Sequence, residues 1–141
     1  MIKYLVVHCS ASPQGRGDNA ETIHRWHRER GWDGIGYHRV ILENGNTEHG
    51  RPCYWNGAHV RGHNHESIGV CLIGEGGDAT EQQLDSLRMV IGDLLDEHPS
   101  ATVVGHCDLD SNKPNCPGFN VGDWWVSAGG AVQPERLATL A

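Results

Sequence analysis

Apolar residues fall along this chain in two alternating rhythms. Residues 3–12, KYLVVHCSAS, form a short β-rich run closing on small polar residues, which predicts a buried strand with His8 near its C-terminal end. A helix-start signal follows at Asp18 or Asn19. AETIHRWHRERG then sets Ile23, Trp26, His27 and Arg30 on one helical face, with Gly31 as the stop. GYHRVILENGNTEHG (36–50) predicts a β-hairpin turning at Asn44-Gly45, with Val40 and Leu42 on one face and Tyr37 at the start of a strand. Residues 50–66 read as an irregular loop. SIGVCLIG (67–74) is apolar throughout, the mark of a strand buried on both faces.

The second half repeats the alternation. Thr80 and Gln83 form a capping box, and Leu84, Leu87, Ile91, Leu94 and Leu95 make the stripe of a long amphipathic helix ending at His98-Pro99. ATVVGH (101–106) predicts one more strand with His106 at its exit. VGDWWVSAGG predicts a short helix, followed by a weakly patterned segment to Ala141. Repeats, low-complexity tracts and linkers are absent from the sequence. Strands alternating with helices over 141 residues predict one α/β domain, residues 1–141, with a central mixed sheet flanked by helices.

Composition narrows the function classes. An apolar fraction of 38% and a charged fraction of 21% suit a folded globular chain, and no run reaches the roughly 18 apolar residues of a membrane span. MIKYLVVH lacks the layout of a secretory signal, so a cytoplasmic protein without membrane insertion is expected. A net charge of −7 argues against nucleic acid as a partner, because phosphate-backbone binding relies on clustered Lys and Arg. HNH at 63–65 is too short a motif to outweigh that balance. Five cysteines, an odd number, point to reduced thiols rather than a disulfide framework.

Ten histidines call for a chemical reason. His8 and His106 both stand at predicted strand ends, where functional groups of α/β sheets collect. Cys116 lies on a Pro-flanked loop ten residues beyond His106 and can fold back to the same point. Two His and one Cys match the three-ligand pattern of a catalytic zinc, whose fourth position is open. Spacing alone leaves room for ordinary hydrogen-bonded histidines and for Cys9 or Cys107 as competing ligands. Alternation along a strand turns Cys9 away from the face of His8. Cys71 suits a small core residue and Cys53 a bystander in a loop. Trp55 can stack on a sugar or a peptide, although packing is the commoner use of Trp.

Four separated motifs, in order over residues 3–125, resemble one family. VVHCSAS, IHRWHRERGWDGIGYH, GAHVRGHNHESIGVCLIG and GHCDLDSNKPNCPGF are similar to segments of the phage-type zinc N-acetylmuramoyl-L-alanine amidases, relatives of the peptidoglycan recognition proteins. The resemblance implies His8, His106 and Cys116 as ligands of one Zn²⁺ and Tyr37 and Lys113 as catalytic groups. It also implies His59 and Asn64 as substrate contacts in the groove. Asp108 and Asp110 then suit backing the ligands or shaping the loop better than binding metal. Departures from the family pattern are the two residues between Lys113 and Cys116, Cys107 where many relatives carry Arg, and Asn120 where Asp is common.

The same resemblance implies hydrolysis of the amide joining N-acetylmuramic acid to L-alanine, by a monomeric endolysin of a phage or prophage. Such an enzyme is made in the host cytoplasm and acts on peptidoglycan after release. A cytosolic amidase recycling anhydro-muropeptides and a non-catalytic peptidoglycan-binding module are the alternatives. Cys116 and Tyr37 weigh against the second, since non-catalytic members typically replace the Cys. No H-E-x-x-H motif supports a zinc peptidase.

Overall fold

A computed structural model describes residues 1–133 of the chain. The weakly patterned segment to Ala141 lies, beyond residue 133, outside the described residues. Five strands form one mixed sheet: β1 (Tyr4–Cys9), β2 (Arg39–Ile41), β3 (Thr47–His49), β4 (Ser67–Leu72) and β5 (Thr102–Gly105), in the order β3-β2-β4-β1-β5. β2, β4, β1 and β5 run parallel, and β3 closes one edge antiparallel to β2. Among the described residues, four α-helices surround the sheet: α1 (Ala20–Glu29), α2 (Glu81–Glu97), α3 (His106–Leu109) and α4 (Val121–Ser127). The predicted mixed-sheet α/β fold is thus observed.

Local chemistry explains the element boundaries. Asn19 caps α1 by accepting from the Thr22 N–H at 3.0 Å, and Gly31, at φ 86°, takes the left-handed conformation that lets the chain leave the helix. Thr80 and Gln83 make the predicted capping box on α2. Gln83 does more than cap: fully buried, it donates from Nε2 to the carbonyls of Ile41 and Ile73 at 3.1 and 2.9 Å, tying the helix start to the ends of β2 and β4. The hairpin turns through Asn44-Gly45 as predicted, but its strands are only three residues each, and Tyr37 precedes β2.

Side-chain alternation divides the core in two. Leu5 and Val7 of β1 and Ile68, Val70 and Leu72 of β4 pack with Leu87, Ile91 and Leu94 of α2 and with Val121 and Trp125 of α4. On the other face, Val40 and Cys71 pack with Ile23 of α1, Ile35 and Ile73. Cys71 is accordingly the core residue expected. His8, Ser67 and Gly69 also fall on this second face by alternation, and there the polar chemistry is built.

Candidate active site

Parallel pairing brings the functional strands together. β1 lies between β4 and β5, with His8 opposite Cys71 and Val7 opposite Gly105. The residue after Gly105 is therefore delivered beside His8. The sequence pattern puts His106 at the exit of a strand over 101–106. The strand stops at Gly105, and His106 opens the single turn of α3, where Asp108 Oδ2 accepts the Gly105 N–H at 2.8 Å.

His8 Nδ1 and His106 Nδ1 stand 3.1 Å apart. Ligand atoms of His8, His106 and Cys116 all lie within 4.8 Å of one another, the sole such group among the described residues. Cys9 and Cys107, the competing cysteines, are outside it. Two nitrogens held tetrahedrally by one zinc are about 3.3 Å apart, so the imidazole pair fits a shared metal. Both rings are buried, and burial depresses both pKa values; His59, His106 and His38 lower His8 further, and Lys113 lowers His106 against the pull of Asp110. Neutral imidazoles with free lone pairs are the ligating form.

The remaining nitrogens are held as well. His8 Nε2 is 2.8 Å from His59 Nδ1, and His59 Nε2 is 3.1 Å from Ser67 Oγ. This chain fixes the plane of the His8 ring. Asp110 Oδ2 lies 3.7 Å from His106 Nε2 and faces the second ring. Outer partners of this kind orient metal-binding imidazoles. Room for His59 comes from Gly69, where a Cβ would stand 2.7 Å from the His59 ring. Burial pulls the His59 pKa down to about 3, with His38 and His106 adding to it.

Cys116 sits against the end of β1. The Cys9 N–H donates to Cys116 Sγ at 3.3 Å, and the Cys107 N–H donates to the Cys116 carbonyl at 2.9 Å. A hydrogen bond shared with the Cys9 thiol, with burial adding to it, holds the Cys116 thiol up, and the same bond brings Cys9 down to about 7 against the opposing effect of its own burial. The Cys9 amide works the other way, favouring a thiolate on Cys116.

A cleft of about 670 Å³ opens beside these groups, lined by Tyr37, His59, Asn64, His106 and Lys113 among others. All the residues singled out from the family resemblance thus reach one place, either at the three-atom cluster or on this wall. Tyr37 packs its ring 5.0 Å from that of His8, and burial, then Cys71, raises its pKa, so the phenol keeps its proton. Lys113 reaches the cleft despite the longer spacing to Cys116, because 110–116 folds into successive turns (Lys113 N–H to Asp110 O, Cys116 N–H to Lys113 O). Asn64 Oδ1 accepts the backbone N–H groups of both His59 and Val60 at 2.9 Å, so it shapes the wall that carries His59.

Several contributors carry no sequence signal of their own. Ser67 and the glycine at 69 become legible only when strand register is known. His38 is a further case: fully buried, it accepts the Gly69 N–H on Nδ1 at 3.0 Å, and its Nε2 stands 2.8 Å from the Trp55 carbonyl.

Comparison with known proteins bears on the family and the fold. The family model described as N-acetylmuramoyl-L-alanine amidase matches residues 1–119. An endolysin of Enterobacteria phage K11 is 37% identical over 138 residues, covering 92% of this chain and 89% of the relative. The endolysin amidase LysCS from Clostridium intestinale superposes with a TM-score of 0.80 at 26% identity, covering 92% of this chain and 85% of that one. A point mutant of Drosophila PGRP-LB, solved in complex with tracheal cytotoxin, superposes with a TM-score of 0.74 at 26% identity over 85% of this chain and 77% of that one. The chain therefore belongs to the N-acetylmuramoyl-L-alanine amidase family.

Proposed function

We propose that the chain is a zinc-dependent endolysin amidase, one domain over residues 1–141, that cleaves the amide between N-acetylmuramic acid and L-alanine of peptidoglycan. The carrying observation is the convergence of His8, His106 and Cys116 beside a cleft that His106 lines together with Tyr37 and Lys113. His8, His106 and Cys116 would hold the zinc. When bound, such a metal polarises the scissile carbonyl and activates water near neutral pH.

The chain's own groups do the rest. His59 and Asp110 keep the two imidazoles aimed at one point. Lys113, a cation, and Tyr37, a phenol that stays protonated, donate toward the oxygen on which negative charge builds. One such preorganised donor is worth about 10²–10³ in turnover. His59 and Asn64 contribute to the groove that receives the muramyl-peptide. No helix among the described residues is long and apolar enough to cross a membrane. We take the protein to be a monomer that is made in a host cytoplasm and meets the wall on release.

Digestion of purified sacculi and of soluble anhydro-muropeptides tests this reading. New L-alanine amino termini should appear from sacculi at the higher rate and vanish in Cys116→Ser. A preference for the soluble fragments would indicate a recycling enzyme, and binding without cleavage a recognition module.

A further inference from the structure

A second cavity, about 420 Å³, is untouched by the chemistry above. It is lined by Glu21 and His24 of α1, Asp33, His49, Arg51 and Trp55. Its size lies in the range of ligand pockets. At its rim the 50–58 loop turns two aromatic rings outward. Trp55 is 57% exposed and Tyr54 85% exposed, with the rings edge to face at 6.4 Å.

This loop is not loose. The Trp55 carbonyl accepts from the buried His38 Nε2 at 2.8 Å, whose Nδ1 in turn accepts the Gly69 N–H of the central strand. Those two bonds are complementary and define the neutral Nε2–H tautomer. Arg51 donates from Nε to the Ile35 carbonyl and from Nη1 to the Asn56 carbonyl, both at 2.8 Å, and the Trp55 N–H closes a turn on the Pro52 carbonyl. A buried histidine and a clamped arginine thus fix the backbone under two aromatic faces that pack on little. Aromatic rings held ready in solvent on a fixed backbone are preorganised for a ligand, with little ordering left to do on binding.

The lining selects the ligand. The Trp55 indole on the lining and the Tyr54 phenol beside it suit the C–H face of a pyranose. The Glu21 and Asp33 carboxylates suit hydroxyl and amide N–H donors. An anion is disfavoured, because the lining carries two carboxylates and one guanidinium, and that guanidinium already donates to two carbonyls. That excludes the acidic peptide stem and leaves a neutral, polyhydroxylated ring. Position points the same way. His24 lines this cavity and His27, one helical turn on, lines the catalytic cleft; Ile35 and Tyr37 likewise face the two sides. The wall between them is the Gly34–Tyr37 segment, pinned where the Ala58 N–H meets the Gly36 carbonyl at 3.0 Å. A polymer whose lactyl-peptide occupies the cleft can continue across this wall.

We propose that Tyr54 and Trp55, with Glu21 and Asp33, form a glycan subsite taking a neighbouring N-acetylhexosamine ring of the peptidoglycan strand. The proposal rests on the peptidoglycan reading for its ligand, but its binding test does not depend on catalysis. The full-length protein is titrated with tri-N-acetylchitotriose, followed by amide and indole NMR shifts. Turnover is then compared on sacculi and on a soluble monomeric muramyl-peptide, for wild type, Trp55→Ala, Tyr54→Ala and Glu21→Gln.

Shifts should centre on Trp55, Tyr54 and residues 21–24. Trp55→Ala should weaken chitotriose binding and sacculus turnover by about tenfold, the scale of one good aromatic contact. Its turnover on the monomer should stay within about twofold, because the truncation leaves the backbone bond to His38 in place. Glu21→Gln, in the exposed first turn of α1, should lower binding about threefold and leave the fold intact. Shifts confined to the catalytic cleft, or an unchanged ratio of sacculus to monomer turnover in both aromatic variants, would overturn the subsite. Failure of the wild type to cleave the monomer while chitotriose still binds at Trp55 would count against the amidase reading alone.

Discussion

The two faces of strands β1 and β4 differ in kind although their residues alternate one by one. Toward α2, Leu5, Val7, Ile68, Val70 and Leu72 meet Leu87, Ile91 and Leu94 with no polar group among them. Toward α1, His8, Ser67, Gly69 and Cys71 lie beside His38 and His59, and each of the three imidazoles has a hydrogen-bond partner. A single-residue register slip would exchange the two sets. The apolar face therefore does more than supply stability: it locks the register that aims His8 at His106. The histidines lie on one side of these strands and the larger apolar cluster on the other, and substitutions should separate the two.

The sharpest separation is expected at His106. His106→Ala should lower sacculus turnover roughly a thousandfold or more, since it removes one leg of the proposed metal site, while far-ultraviolet circular dichroism stays native. Lys113→Met should cost about 10²–10³ in kcat with little change in metal content. A rise in KM alone would move Lys113 from charge stabilisation to substrate binding. On the opposite face the pattern should reverse. Leu87→Ala, at a fully buried position, should lower unfolding free energy by about 2–5 kcal/mol in urea titrations and leave turnover per folded molecule unchanged.

The smallest effect concerns pH. His27 is held down to about 4 by burial, then by Arg30 and Arg51, and its Nδ1 accepts the Gly36 N–H at 2.9 Å. The folded pKa is below the unfolded value of 6.5, so the unfolded chain takes up a proton that the folded one refuses. Stability from this group is intact above about pH 6.5 and falls by about 1.4 kcal/mol per pH unit between there and about pH 4. Urea midpoints should accordingly drop on going from about pH 7.5 to about pH 5.5, and His27→Asn, which keeps an acceptor for Gly36, should flatten the slope.

The apolar face is readable from periodicity alone, because burial there needs only the right residue every second or every third to fourth position. Leu87, Ile91 and Leu94 are the buried stripe expected, and β4 is buried throughout. The histidine face is readable only in part. His8 and His106 can be placed at strand ends, but their partnership depends on β5 pairing with β1 across some 98 positions of sequence separation. The role of His59 as a brace for the His8 ring, and of Asn64 as a brace for the His59 backbone, follows from contacts that no local spacing encodes. The turn of α3 is invisible in the pattern because a four-residue helix carries no periodic signal. Gln83 shows its cap in the sequence but not its two carbonyl partners across the sheet.

In the proposed site Cys116, and not its neighbour Cys9, joins His8 and His106 as the third ligand. This assignment is tested most directly by zinc content per chain, measured on wild type, Cys116→Ser and Cys9→Ser purified in parallel with sacculus turnover. One zinc per chain and activity are expected in wild type and Cys9→Ser, and neither in Cys116→Ser. Full zinc with undiminished turnover in Cys116→Ser would contradict it.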